Sequence, residues 1–259
     1  MKFGLNLFSI RNLIQTEKEF LDVAIKLKDA GYSYMQFSGA PYNPDAIKKV
    51  VNTSGMPVYL THVPMDRITD DADKLMEEHL SFGCKNIGLG MMPAKHFDDD
   101  DDFKRVVEKL NKAGEYLSKN GFKFFYHHHH YELTNNLDGG TRLEYMINNA
   151  KHINFTLDTY WLQYGGVDIL SYIDKMQGRI DCVHLKDYKI VRDLESEDIV
   201  YKPRFAPVGY GNIDFNVVIN KMKNAGVKYY FVEQDDAVSY DNPLEQVIMS
   251  ANYIKKELI

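Results

Sequence analysis

The 259-residue sequence predicts an α/β fold: a single (β/α)8 TIM barrel spanning residues 1–259. Three observations predict it. Strand-like apolar runs alternate with amphipathic stretches eight times, no linker or composition break divides the chain, and the length matches the ~250 residues usual for such barrels. Strict alternation implies parallel strands joined by crossover helices. No glycine-rich phosphate fingerprint follows the first run, which disfavours a dinucleotide-binding sheet.

The units follow in order. "KFGLNLFSI" (2–10) precedes a helical pattern from Thr16 to Ala30, closed by Gly31. "YSYMQFS" (32–38) precedes "NPDAIKKVVNTSG", where Pro44 suits a first helical turn and Gly55 an exit. "MPVYLTHV" (56–63) leads to a helix near 70–82, and "CKNIGLG" (84–90) to "FKRVVEKLNKAGEYLSKNG" (103–121), the clearest 3.6-residue period in the chain. "FKFFYHH" (122–128) is followed by "GTRLEYMINNA" (140–150), and "HINFTLD" (152–158) by a helix around 167–176. "RIDCVHLKD" (179–187) opens a long polar stretch before "DFNVVINKMKNAG" (214–226). "VKYYFVEQ" (227–234) and "NPLEQVIMSANYIKKEL" (242–258) close the series.

Composition narrows the function. Thirty-one Lys+Arg against 37 Asp+Glu give a net charge of -6 and no basic stripe, so nucleic-acid partners are disfavoured. Only Cys84 and Cys182 occur, and no apolar run approaches the ~20 residues of a spanning helix. The expectation is a cytoplasmic protein with no membrane partner; homo-oligomerisation is compatible with the sequence. The run Asp98–Asp102 reads as a solvated loop leading into a helix, whose N-terminus favours acidic neighbours.

Barrel sites lie at the C-terminal ends of the strands. There the sequence concentrates His127–His130 and Glu132 after the fifth strand, Asp158 after the sixth, His184 and Lys186 on the seventh, and Glu233 on the eighth. Two-residue alternation supports this: with His184 inward, Cys182 and Lys186 share its side, while Val183 and Leu185 face the helices. Alternation sends two of the four consecutive histidines inward, His127 and His129, and leaves His128 and His130 structural or exposed. A lone inward histidine is more often a hydrogen-bonded core residue, and an acid here could simply pair with Lys186. A set from four neighbouring strands instead suggests one divalent cation, Mn²⁺, Zn²⁺, Co²⁺ or Mg²⁺.

The chain resembles the xylose isomerase-like barrels of the sugar phosphate isomerase/epimerase group, which share their fold with endonuclease IV. "FGLNLFSIR", "GYSYMQFSG", "LDTYW", "VHLKD" and "PVGYGNIDF" are similar to that group's signatures in the right order. "YHHHHYEL" resembles a branch pattern Y-H-N-H-x-x-E-F, with His128 in place of asparagine. The resemblance implies one divalent metal held by Asp158, His184, Glu233 and a fourth ligand. Glu132 is preferred for that place over His127 or His129, because ketose epimerases of the group use a glutamate ending the fifth strand. Trp161 stands where those epimerases place a substrate-binding histidine.

The expected activity is isomerisation or epimerisation of a sugar or keto-sugar, by proton abstraction next to a metal-bound carbonyl. Glu132 and Glu233 would act as the acid/base pair, His129 and Lys186 would be catalytic beside them, and His127 and Trp161 would bind substrate. Arg11 would meet a substrate oxygen, with an ion pair to Glu233 or a neighbouring acid as its alternative. The stretch 188–214 exceeds ordinary loops and reads as a lid or rim bearing Arg204, and Gly209–Gly211 as a substrate contact or a tight turn. The branch pattern also suggests a keto-sugar or inosose lyase or dehydratase. An endonuclease IV-like phosphodiesterase and a non-catalytic sugar-binding barrel rank below both.

Overall fold

A computed structural model describes residues 1–137 and 139–259. Eight parallel strands close into a barrel: β1 (Gly4–Asn6), β2 (Tyr34–Phe37), β3 (Val58–His62), β4 (Asn86–Leu89), β5 (Lys123–His127), β6 (Asn154–Asp158), β7 (Cys182–Leu185) and β8 (Tyr229–Val232). Each pairs with its sequence neighbours, and β1 with β8 completes the circle. The helices form the outer layer, where most of the buried apolar side chains pack.

Sequence chemistry accounts for the element ends. Helix α1 (Glu17–Ala30) starts from a capping box in which Thr16 and Glu19 satisfy each other's backbone amides, and it stops at Gly31 with φ 102°. Helix α2 (Pro44–Ser54) is capped by Asn43. Helix α5 (Asp100–Lys119) takes in part of the acidic run: Asp99 caps it and Asp100, Asp101 and Asp102 fill its first turn. Buried Gly114 lets this helix approach the chain before β6, since a Cβ there would lie 2.4 Å from the His152 carbonyl oxygen.

Four expectations change. The first strand ends at Asn6, whose side chain accepts from the Phe8 amide and starts a 3-10 turn through Leu13. The helix expected near 70–82 is two, α3 (Met65–Asp70) and α4 (Ala72–Ser81), broken at Asp71. After β5, α6 (Arg142–Asn149) appears as expected, but after β6 a short helix α7 (Thr159–Tyr164) precedes α8 (Ile169–Lys175). Part of the polar stretch after β7 is an antiparallel hairpin, Asp187–Arg192 with Tyr201–Ala206. Helices α9 (Phe215–Asn224) and α10 (Pro243–Tyr253) complete the outer layer. Among the described residues no helix is long and apolar enough to cross a membrane.

Inside the barrel, Tyr34, Leu60, Phe125, Cys182 and Phe231 form a separate apolar cluster. Two residues further along the same strands stand Gln36, His62, His127, His184 and Glu233. With a side-chain period of two, those residues make the next layer toward the mouth. An apolar floor thus lies directly beneath a polar layer.

Candidate metal centre

The register of β5 to β8 brings three of these polar groups together with Asp158. Asp158 lies directly across from His184, His127 across from Thr156, and the Glu233 amide donates to the Leu185 carbonyl. His127, Asp158, His184 and Glu233 each offer a ligand atom within 4.8 Å of the others, and all four are buried. His184 Nδ1 lies 3.2 Å from His127 Nε2, 3.6 Å from Asp158 Oδ2 and 2.6 Å from Glu233 Oε2.

The far atom of every member is fixed by a partner. His127 Nδ1 donates to the Gly90 carbonyl (3.1 Å) and His184 Nε2 to Gln36 Oε1 (2.8 Å). Asp158 Oδ1 accepts from the Trp161 amide while capping α7, and Glu233 Oε1 accepts from Asn6 Nδ2 (2.9 Å). Because a carbonyl oxygen only accepts, these contacts place a proton on each outer nitrogen, so that in the neutral form of either ring the inner nitrogen carries the lone pair. Glu233 Oε2 faces His184 Nδ1 in this 2.6 Å pair and has no other hydrogen-bond partner. Two lone-pair nitrogens and two carboxylate oxygens facing one point is a donor set that a divalent cation fits.

The electrostatics agree. Burial opposes charge on His184, yet Glu233 and Asp158 push its imidazole up to about 9, so the centre attracts positive charge strongly. Burial would raise the Glu233 carboxyl, but Lys186 and His184 hold it well below the usual range. Burial drives His127 well below its ordinary value, with His184 and His129 adding to the effect, so it stays neutral. Lys186 is itself buried and remains charged. Its Nζ stands 2.7 Å from Asp235 Oδ1 and 3.8 Å from both Asp158 Oδ2 and Glu233 Oε2.

The other anticipated residues divide. Glu132 stands apart from the four, and the group that could hold an ion has His127 as its fourth member. The turn Tyr131–Leu133 buries the Glu132 carboxylate, where it accepts from Tyr126 Oη (2.5 Å) and the His129 amide (2.8 Å). His129 lines the cavity, with Nδ1 buried and unpartnered. Trp161 on α7 packs against His129 and His130, and Lys186 Nζ lies 4.9 Å from its ring. Arg11 makes no ion pair with Glu233; its guanidinium donates to the Phe8 and Asp235 carbonyls. Arg204 lies exposed on the hairpin, in register with Lys189 and away from the cavity lining. His128 is buried, its Nε2 accepting from the Asp158 amide.

Sequence reading passed over Asn6, Gln36, His62 and Asp235. The two-residue step from each floor residue would have found Gln36 and His62. Asp187 was passed over too: its carboxylate accepts from the Gly209, Gly211 and Ile213 amides. That makes Gly209–Gly211 a turn built on Asp187, and a Cβ on Gly211 would meet the carboxylate at 2.3 Å.

A parallel eight-stranded barrel with a buried His/Asp/His/Glu group at its mouth defines a class of sugar isomerase-like barrels. The family described as xylose isomerase-like TIM barrel matches residues 25–256, and the chain belongs to it. It is 27% identical over 251 residues to an inosose dehydratase of Clostridium perfringens, covering 84% of this chain and 82% of that protein. A sugar phosphate isomerase/epimerase from Parabacteroides distasonis superposes with a TM-score of 0.80 at 22% identity, covering 99% of this chain and 94% of that one. A xylose isomerase-like barrel protein from Mycobacterium smegmatis in complex with magnesium superposes at 0.71 with 14% identity, covering 98% and 95%. The two superpositions establish likeness of fold.

Proposed function

We propose that this protein is a divalent-metal-dependent lyase that removes water from a keto-sugar or cyclitol ketone after abstracting the proton beside its carbonyl. The observation that carries this reading is the convergence of His127, Asp158, His184 and Glu233, each with its outer atom pinned and its inner atom aimed at one centre. His127, Asp158, His184 and Glu233 would hold the cation, which would supply electrophilic polarisation of the substrate carbonyl. Asp235, lifted by burial to about 6 against the pull of Lys186, has the affinity that suits a proton acceptor near neutral pH. The β-hydroxyl departs as water on a proton from Lys186, and Asp235 passes the proton it took from carbon back to Lys186 across their 2.7 Å contact. His129 holds a further hydroxyl, and Trp161 backs His129 and Lys186. Glu132 supports the site from behind by tethering the His129 backbone.

Dehydration is preferred to epimerisation for a geometric reason. Epimerisation removes a proton from one face and returns it to the other, which calls for acid/base groups on both sides. Asp158, Glu233 and Asp235 all come from the β6–β8 side, while β5 contributes imidazoles. The inosose dehydratase similarity points the same way. Isomerisation or epimerisation of a keto-sugar is the second reading, supported by the likeness of fold to a sugar phosphate isomerase/epimerase.

The test is incubation of manganese-loaded protein with inososes, 3-keto-hexoses and ketohexoses in deuterated water, followed by mass spectrometry. Loss of water supports the lyase, and deuterium uptake without loss supports the second reading. Neither change in any compound, or full activity in Glu233→Gln, defeats the proposal.

A further inference from the structure

The cavity above the metal centre has two unlike walls. On one side stand His127, His129, Lys186, Glu233 and Asp235, all able to bind hydroxyl or carbonyl groups. The rest of the lining is mainly apolar: Phe8 after β1, Val63, Pro64 and Met65 after β3, and Leu89, Met91 and Pro93 at and after β4, with Ser38, His62 and Asp66 the polar groups set among them. The apolar side chains of this second group offer no hydrogen-bond donor. A hydroxylated ring laid against them would surrender its water without replacement, at a cost of ~1–3 kcal/mol per group.

The size of the space raises the same question. The cavity holds about 620 Å³. A six-carbon keto-sugar has about twelve non-hydrogen atoms. Even at the ~30 Å³ each that a water molecule takes in the liquid, it fills roughly 360 Å³. A metal-held sugar therefore leaves a substantial apolar compartment beside it.

That compartment is firmly built on one edge. The Arg11 guanidinium sits 4.2 Å from the Phe8 ring centre while donating to the Phe8 and Asp235 carbonyls, so ring and backbone are held together. Gly39 packs behind, where a Cβ would come within 2.9 Å of Phe8 Cδ2. Met91, 56% exposed, adds an adaptable thioether side chain to the lining.

We infer that the substrate has two parts: a keto-sugar or cyclitol ring at the metal centre and an apolar aryl or alkyl substituent, joined through a glycosidic or ether oxygen, in the Phe8–Met65–Met91 compartment. This rests on the functional reading above for the ring and on the second wall for the substituent.

Calorimetric titration of the full chain with phenyl 3-keto-β-D-glucopyranoside and with 3-keto-D-glucose, with and without Mn²⁺, tests it. The phenyl compound is expected to bind at least tenfold more tightly, and Met65→Ser and Met91→Ser each to cut that ratio several-fold. Thermal melts of both variants establish that they fold. A ratio near one in the parent protein, or a ratio that neither variant moves, overturns the inference. Leu194 and Ile199 are exposed in the connection between the two hairpin strands. A dimer that Leu194→Ser and Ile199→Ser dissociate, with no gain from the phenyl group, also overturns the inference, because a second copy's hairpin would then be the occupant. Solvent-proton exchange keeps the two readings apart. Exchange in both compounds at equal affinity removes the compartment and keeps the chemistry; a phenyl advantage without exchange does the reverse.

Discussion

Replacing Glu132 by glutamine separates a supporting role from a ligating one. Burial lifts this carboxyl from 4.5 to about 7, against the hydrogen bonds from Tyr126 and the His129 amide. Between those values the folded protein keeps a proton that the unfolded chain releases. A raised carboxyl contributes stability that is complete below the unfolded value and is lost as pH rises through the folded one. At 1.36 kcal/mol per unit, the full swing is roughly 3 kcal/mol. Glutamine keeps both contacts, since its oxygen accepts from the His129 amide and its NH₂ donates to the Tyr126 oxygen. Urea unfolding of both proteins from pH 4 to pH 8 should show the variant gaining up to ~3 kcal/mol relative to the parent. Nearly all of that gain should fall between 4.5 and about 7. Manganese affinity, measured alongside by calorimetry, should match the parent's. A stability difference that is flat with pH refutes the assignment, and a variant that no longer takes up metal would make Glu132 a ligand after all.

Three further outcomes are expected. Saturation with a divalent cation at a hundred times its Kd should stabilise the parent protein by about 2.7 kcal/mol in scanning calorimetry. A chelator should reverse the gain, and Asp158→Asn should abolish it. Gln36→Leu frees the outer nitrogen of His184 and should weaken metal binding ~10–100-fold in calorimetric titration while the far-UV circular dichroism is unchanged. Gly114→Ala drives a methyl into the His152 carbonyl and should lower stability by about 1–3 kcal/mol in chemical denaturation.

Much of this arrangement was legible because barrel geometry converts sequence position into direction. Apolar Val183, Leu185 and Val232 between polar neighbours marked outward and inward sides of β7 and β8, and that alternation aimed His184, Lys186 and Glu233 at one space. Where the reading went astray, a local turn intervened. Glu132 lies beyond the end of β5, where alternation no longer governs, and its turn folds the side chain toward Tyr126. Helix α7 was missed because Asp158 looked like the end of a strand, yet its Oδ1 also caps the helix that follows. Gln36 and Asn6 carried no signal of their own. Their value comes from the atoms they hold in place, which only the closed circle of strands reveals.

Lys186 and Asp187 are neighbours in the chain that serve opposite sides of the wall. One reaches in among the acids, and the other ties down the backbone from Gly209 to Ile213. A single peptide plane thus links the ammonium group to the rim loop. A displacement of this loop would therefore reach the backbone that carries Lys186 before it reached any other group of the centre.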